Sequence, residues 1–256
     1  MLAELPLQEY LATLDRCAED LLWEAGVGAP PIDAFRVAQR LGIAVVSDAR
    51  MLTRARFARL ASESPCGVVE TIALAPECRE ERRHFAVAHE VGEAHAVRVY
   101  QMLGVEPAEA GPRAREAIAN ALAGRLLAPR RWLVGVWRES GGDLLEVKSV
   151  FATASHELLA RRLLECVPAS MVVTITDNGR VAWRGWNLPG PAPPRSPTEI
   201  ECQRQAQQEE RPVWFDDVPS RAARRIACVR CWPVYEPGWR REITIGLLEA
   251  EEPVWL

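Results

Sequence analysis

Three of the four histidines in this 256-residue chain, His84, His89 and His95, fall within twelve residues of one another. The stretch that holds them, ERRHFAVAHEVGEAHA from Glu81 to Ala96, has helical patterning that extends from Glu80 to about Val99. At about 100° per residue, His89 and Glu93 lie about 40° apart on one helix face, so both reach a single metal ion. Glu90 projects to the neighbouring side, where a carboxylate can take a proton from an attacking water. The pattern is HExxH with its second histidine replaced by glutamate. His84 and His95 fall roughly 120° to 140° around the helix from His89 and read as solvated or packing histidines. A metal centre here needs a further ligand from another element, which constrains the fold to bring a second element beside this helix. The competing explanation is an acidic surface helix that carries a His–Glu pair by chance.

The rest of the chain supplies candidate neighbours. Apolar residues recur at helical spacing from Gln8 to Ala25, and Gly26 stands where that helix should stop. Asp33 is placed to cap a second helix, AFRVAQRL, before a strand beginning at about Ile43. RFARL around Phe57 and GVVETIALA from Gly67 to Ala75 read as two more strands, and together the three predict a small antiparallel sheet. A helix from about Pro112 to Leu127 is closed by Pro129. Helices over 143–151 and 155–166, joined by ATAS, have the length of a helix-turn-helix. MVVTITDNGRVAWRGW then contains two strand-like runs around DNG, a hairpin signal. LPGPAPPRSP holds five prolines and reads as an exposed loop, and two last strands are expected near Ile226–Val234 and Glu242–Leu248.

Composition excludes several classes. With 31 Lys and Arg against 35 Asp and Glu, the formal charge of -4 does not advertise a nucleic-acid partner. No apolar run approaches the roughly 18 to 20 residues of a membrane helix, and MLAELPLQEYLATLDRC lacks a basic flank and cleavage site, so a cytoplasmic location is expected. The seven cysteines, Cys17, Cys66, Cys78, Cys166, Cys202, Cys228 and Cys231, form no small-scaffold framework and read as reduced core fillers. Cys228 and Cys231 make one CxxC. No second CxxC completes a zinc site, and residues three apart on a strand point to opposite faces, so coincidence is the preferred explanation. Six of the nine tryptophans lie beyond Met171, where they either build the core of the C-terminal part or line a ligand or partner surface, and core packing is the preferred expectation.

Two of these segments carry a resemblance. RHFAVAHEVGE (83–93) and EAIANALAGRLLAP (116–129) resemble the paired helices of the ImmA/IrrE metallopeptidases, written approximately RFTxAHELGH and ExxANxFAxxLLMP. AGVGAPPIDAFRVAQRLGIAVV and SVFATASHELLARRLL are similar to flanking elements of that family, so the resemblance covers about residues 20 to 167. The residue pattern gives a helix-rich part to about Val167 and a smaller strand-rich part after it, and with the resemblance this predicts an α+β chain with three parts. These are a zincin-like metallopeptidase domain over 1–130, a helix-turn-helix-like segment over 131–167 and a β-rich domain over 168–256, GAF-like and sensory in some members. The resemblance further implies metal ligands at His89, Glu93 and Glu116, with Glu90 as general base. The cofactor would be one divalent metal, zinc first and manganese as the alternative. The substrate would be a partner helix-turn-helix transcriptional repressor, cleaved to switch on a stress or mobile-element response.

Glu93 departs from the family pattern, which has histidine there. Two carboxylates and one histidine leave a zinc site formally neutral, which makes the bound water less acidic and stabilises an oxyanion less. An oxygen-rich site also favours harder metals. The alternative expectation is therefore a catalytically degenerate regulatory module that keeps the fold. Asn120, Leu126 and Leu127 are expected to serve helix packing alone. Arg161 and Arg162 on the second helix of the helix-turn-helix candidate are placed either to meet DNA phosphates or to pack.

Overall fold

The computed structural model describes residues 6–61, 68–77, 79–216, 226–236 and 238–249. They form two compact units, one of Met1–Val136 with Lys148–Ser155, the other of Trp137–Val147 with His156–Leu256. The segment 131–167 is thus divided between the two units. The chain is α+β, and among the described residues no helix is long and apolar enough to cross a membrane.

In the first unit α1 (Leu7–Glu24) buries Leu14, Cys17, Ala18, Leu21 and Leu22, the stripe expected from its sequence. Asp33 caps α2 (Ala34–Arg40) by accepting from the amides of Phe35 (2.9 Å) and Arg36 (3.2 Å). α3 (Glu80–Met102) and α4 (Pro112–Leu127) pack against each other and carry the candidate site. α5 (Arg130–Glu139) restarts directly after Pro129. Leu126 and Leu127 are fully buried, as packing leucines should be.

His84 is a packing histidine, and it also completes a helix start. It is buried, its Nδ1 accepts the Ala34 amide at 3.2 Å, and its ring meets Phe35 edge-on at 5.2 Å. Burial pushes its pKa below the usual value, against the opposing pull of Asp33 and Glu80. A ring nitrogen that accepts this amide from the first turn of α2 carries no hydrogen of its own.

The sheet of this unit corrects the antiparallel expectation. Its order is β1–β3–β2, in which β2 (Ala55–Ala61) runs antiparallel to β3 (Val68–Leu74) but β1 (Ala44–Ser47) pairs parallel with it. The chain leaves β1, turns at Asp48, and comes back along the far side of a strand that it has yet to form. The Asp48 amide bonds to the Leu74 carbonyl, and the Ala75 amide to that of Arg54. Strand propensities identify the three strands but not which one lies in the middle.

The second unit is built on an antiparallel sheet in the order β5–β4–β8–β7–β6. Its strands are β4 (Met171–Asp177), β5 (Arg180–Trp186), β6 (Val213–Asp216), β7 (Ile226–Glu236) and β8 (Trp239–Leu248). The DNG hairpin is present: Asn178 and Gly179 both have positive φ, 48° and 79°, as a type I′ turn requires. The proline-rich stretch up to Ser196 forms neither helix nor strand, but α8 (Pro197–Glu209) begins immediately after it. α8 packs on one sheet face, where Cys202 and Ala206 meet Val213, Val229 and Cys231. By strand alternation, α7 (His156–Cys166) packs on the other face, against β4 and β8.

That placement accounts for the arginines of the helix-turn-helix candidate, α6 (Leu144–Val150) and α7. Arg162 is buried and ion-paired with Glu165, while Arg161 pairs with Glu157 and lies over the Trp183 ring. Trp232 is fully buried and donates to Asp143, but Trp214 is 49% exposed and Trp183, Trp186 and Trp239 are only half-buried. The expectation of a tryptophan core therefore holds for one residue of those described. Several of the others instead lie under arginines, as Trp214 does under Arg230 and Trp239 under Arg241. Trp255, Cys66 and Cys78 lie outside the described residues.

Candidate metal centre

α3 and α4 approach closely because Gly92 lets them. A Cβ built on Gly92 would stand 2.8 Å from the Ala119 carbonyl oxygen and 3.1 Å from the Leu122 Cβ. This contact lies between His89 and Glu93 on one helix and beside Glu116 and Asn120 on the other.

His89, Glu90 and Glu93 each offer a ligand atom, and these atoms lie within 4.8 Å of one another. This group could hold a metal ion. Glu116 arrives from α4, its Oε2 3.6 Å from His89 Nε2. Asn120 sits between them. Its Nδ2 donates to Glu116 Oε1 at 3.0 Å, so its Oδ1 faces His89 Nδ1, at 3.2 Å. An acceptor there selects the tautomer with hydrogen on Nδ1, leaving Nε2 bare on the side of Glu116, the orientation a metal-ligating histidine needs. Asn120 is exposed on α4 and joins it to His89 of α3, as a helix-packing amide should, and in the same contact it orients two candidate ligands. Its spacing of four from Glu116 was the signal available in the sequence.

Glu90 and Glu93 have different surroundings. Glu90 is buried, and its Oε2 accepts the Phe57 amide of β2 at 2.6 Å. Burial raises its carboxyl pKa, opposed first by that hydrogen bond. Glu93 is half-buried and faces the guanidinium of Arg115, Nη2 to Oε1 3.4 Å. Beyond them an open cleft of about 750 Å3 runs along α3, lined by Glu93, Tyr100, Arg115 and Glu116 and by Arg59 of β2.

Other candidates fall away from this centre. His95 is half-buried on a different face of α3 from His89, and burial depresses its pKa. Cys228 and Cys231 lie on β7, where Cys231 is buried and Cys228 half-buried. Burial raises both thiols, that of Cys231 to about 12. Neither is poised as a thiolate.

No family model matches the chain, and no curated protein does. Among solved structures, the chain is similar to one described as a Mycobacterium tuberculosis transcriptional regulator. The two share 18% identity over 92% of this chain and 87% of that one, with a TM-score of 0.64. At this identity the likeness concerns the fold, and it runs through both units.

Proposed function

We propose that the chain is a regulatory protein that keeps a metallopeptidase-like metal centre without the hydrolytic activity. The observation that carries this reading is the state of the two glutamates. Glu93 replaces the histidine of HExxH and is held by Arg115, while Glu90 is buried with one oxygen committed to the Phe57 amide. A general base must meet a water and a substrate, and a carboxylate drawn beneath β2 is poorly placed for either. Resemblance to a chain described as a transcriptional regulator, extending over both units, supports the same reading. His89, Glu93 and Glu116 would hold a divalent metal, oriented by Asn120. Zinc is the first candidate and manganese the second, because two carboxylates make the set oxygen-rich. When bound, such an ion would supply Lewis acidity or structural cross-linking of α3 to α4. The antiparallel sheet with a helix on each face supports a sensory C-terminal unit of the GAF-like kind.

A second reading has its own observation. Glu90 lies in the same 4.8 Å group as His89 and Glu93, and burial moves its carboxyl pKa upward, the direction in which general acid–base carboxylates are tuned. In that reading the chain is an ImmA/IrrE-type endopeptidase, and Glu90 takes the proton of the attacking water and returns it to the leaving amine. Its substrate is a partner transcriptional repressor.

Glu93→His separates the two. The regulatory reading expects no hydrolysis of a fluorogenic peptide library by the natural chain with zinc or manganese, and metal-dependent hydrolysis or tighter zinc binding in the variant. Hydrolysis by the natural chain that disappears in Glu90→Gln, with metal content unchanged, would overturn it in favour of the peptidase.

A further inference from the structure

The sheet of the second unit ends on β5 at one side and on β6 at the other, and the two edges are built differently. The register of β5 with β4 is interrupted between Ile175 and Thr176, and the proline-rich stretch that follows β5 is tied back to it. The Arg184 guanidinium donates to the Pro193 and Pro194 carbonyls at 2.8 and 3.4 Å, and the Trp186 indole donates to the Gly190 carbonyl at 2.7 Å. Bulges and prolines are devices that keep a free edge from pairing with another chain. β6 has neither. Its register with β7 runs without a break from Val213↔Cys231 to Asp216↔Cys228, and the strand, VWFD, holds no proline, glycine or lysine. Among the described residues no strand pairs with its outer side, so the amides and carbonyls there are left to water or to another strand.

The side chains of β6 favour the strand. Val213 and Phe215 pack toward α8, so by alternation Trp214 and Asp216 stand on the opposite face. Trp214 is 49% exposed, although a tryptophan usually buries most of its surface. Arg230 of β7 lies over the indole at 5.0 Å and is itself anchored to the Gly141 carbonyl, so the ring is held in place. A fixed, half-exposed indole in the middle of an open edge is the kind of side chain that anchors an interface. Arg211 precedes the strand and Asp216 ends it, and both are exposed. Such a strand is complementary to itself: laid antiparallel on its own copy, the cationic end of each meets the anionic end of the other.

We propose that β6 pairs antiparallel with β6 of a second copy of the chain, about a two-fold axis at Trp214, joining two five-stranded sheets into one continuous sheet. The two Trp214 side chains meet on one face, and Val213 of each copy lies opposite Phe215 of the other on the second face. A four-residue strand supplies few hydrogen bonds, so the dimer is weak and exchanges with monomer. The interface does not involve the metal centre and stands or falls apart from it.

Sedimentation velocity of the full chain tests this. Wild type should show a concentration-dependent dimer by about 100 μM, the range of weak interfaces. At the axis each position 214 meets itself, so Trp214→Glu and Trp214→Lys should each weaken the dimer by at least about tenfold through loss of the anchor and like-charge repulsion. An equimolar mixture of those two variants should dimerise again, because opposite charges then face each other. Trp214 is a surface residue, so both variants should keep the wild-type circular dichroism spectrum. Val181→Glu, an exposed position on β5, should leave the dimer unchanged. A monomeric wild type at the highest concentration, a dimer that survives in both Trp214 variants, or a mixture that stays monomeric would overturn the interface. Loss of the dimer in Val181→Glu would also overturn it, by moving the contact to β5.

Discussion

Gly92→Val is expected to destabilise the first unit by about 3 kcal/mol, near the upper end of what overpacking usually produces. The atom met at 2.8 Å is the Ala119 carbonyl oxygen, part of the α4 backbone, so it cannot rotate away as a side chain would. Gly92→Ala meets the same oxygen but recovers about 1 kcal/mol of helix propensity, so its net effect is smaller. In either variant α3 and α4 must separate, and the separation occurs where Glu116 and Asn120 meet His89. Metal affinity should therefore fall together with stability. Urea unfolding followed by circular dichroism measures the first, and a competing chromophoric chelator the second. A wild-type midpoint in Gly92→Val would mean that the helices do not approach this closely.

Glu199→Ala should cost the second unit about 3–5 kcal/mol, the range for removing one partner of a buried pair. Glu199 is 2% exposed and receives Arg184 through two nitrogens, at 2.7 and 3.2 Å. Its Oε2 also accepts the Ser196 amide at 2.8 Å, while Ser196 in turn accepts the Glu199 amide, closing a capping box at the start of α8. The alanine variant strands the half-buried Arg184 guanidinium, which also bonds Thr174 and the Pro193 carbonyl, and removes the carboxylate half of the capping box in the same step, while the Ser196 hydroxyl still accepts the amide of residue 199. Glu199→Gln retains a hydrogen-bonding oxygen for the cap but not the charge, so it should fall between wild type and alanine. Equal midpoints for all three proteins, by thermal unfolding, would remove this pair from the account.

The sequence is most legible where local chemistry decides the structure. α4 runs from Pro112 to Leu127 as its proline and apolar pattern require, Asp33 caps α2, and Asn178-Gly179 turns the hairpin. α8 carries an equally local signal, Ser196-Pro-Thr-Glu, placed directly after the prolines of an irregular stretch. The parallel pairing of β1 with β3 had no local signal, because sheet order depends on packing that residues 44–74 do not encode by themselves. The site divides in the same way. Helical periodicity places His89 and Glu93 together, whereas the burial of Glu90 beneath the Phe57 amide depends on a strand about thirty residues away in sequence. Asn120 reads as a packing residue until α3 lies beside it, and only then does its amide bridge two ligands.

The central claim is that His89 anchors a metal centre shared by α3 and α4. Its most direct test is metal content per chain, by inductively coupled plasma mass spectrometry, on protein purified without chelator or affinity metal. The account predicts close to one equivalent of zinc or manganese in wild type and none in His89→Ala. Asn120→Ala should weaken affinity by about tenfold to a hundredfold, as loss of an orienting partner does. No metal in wild type after reconstitution with either ion, or equal metal in wild type and His89→Ala, would contradict it.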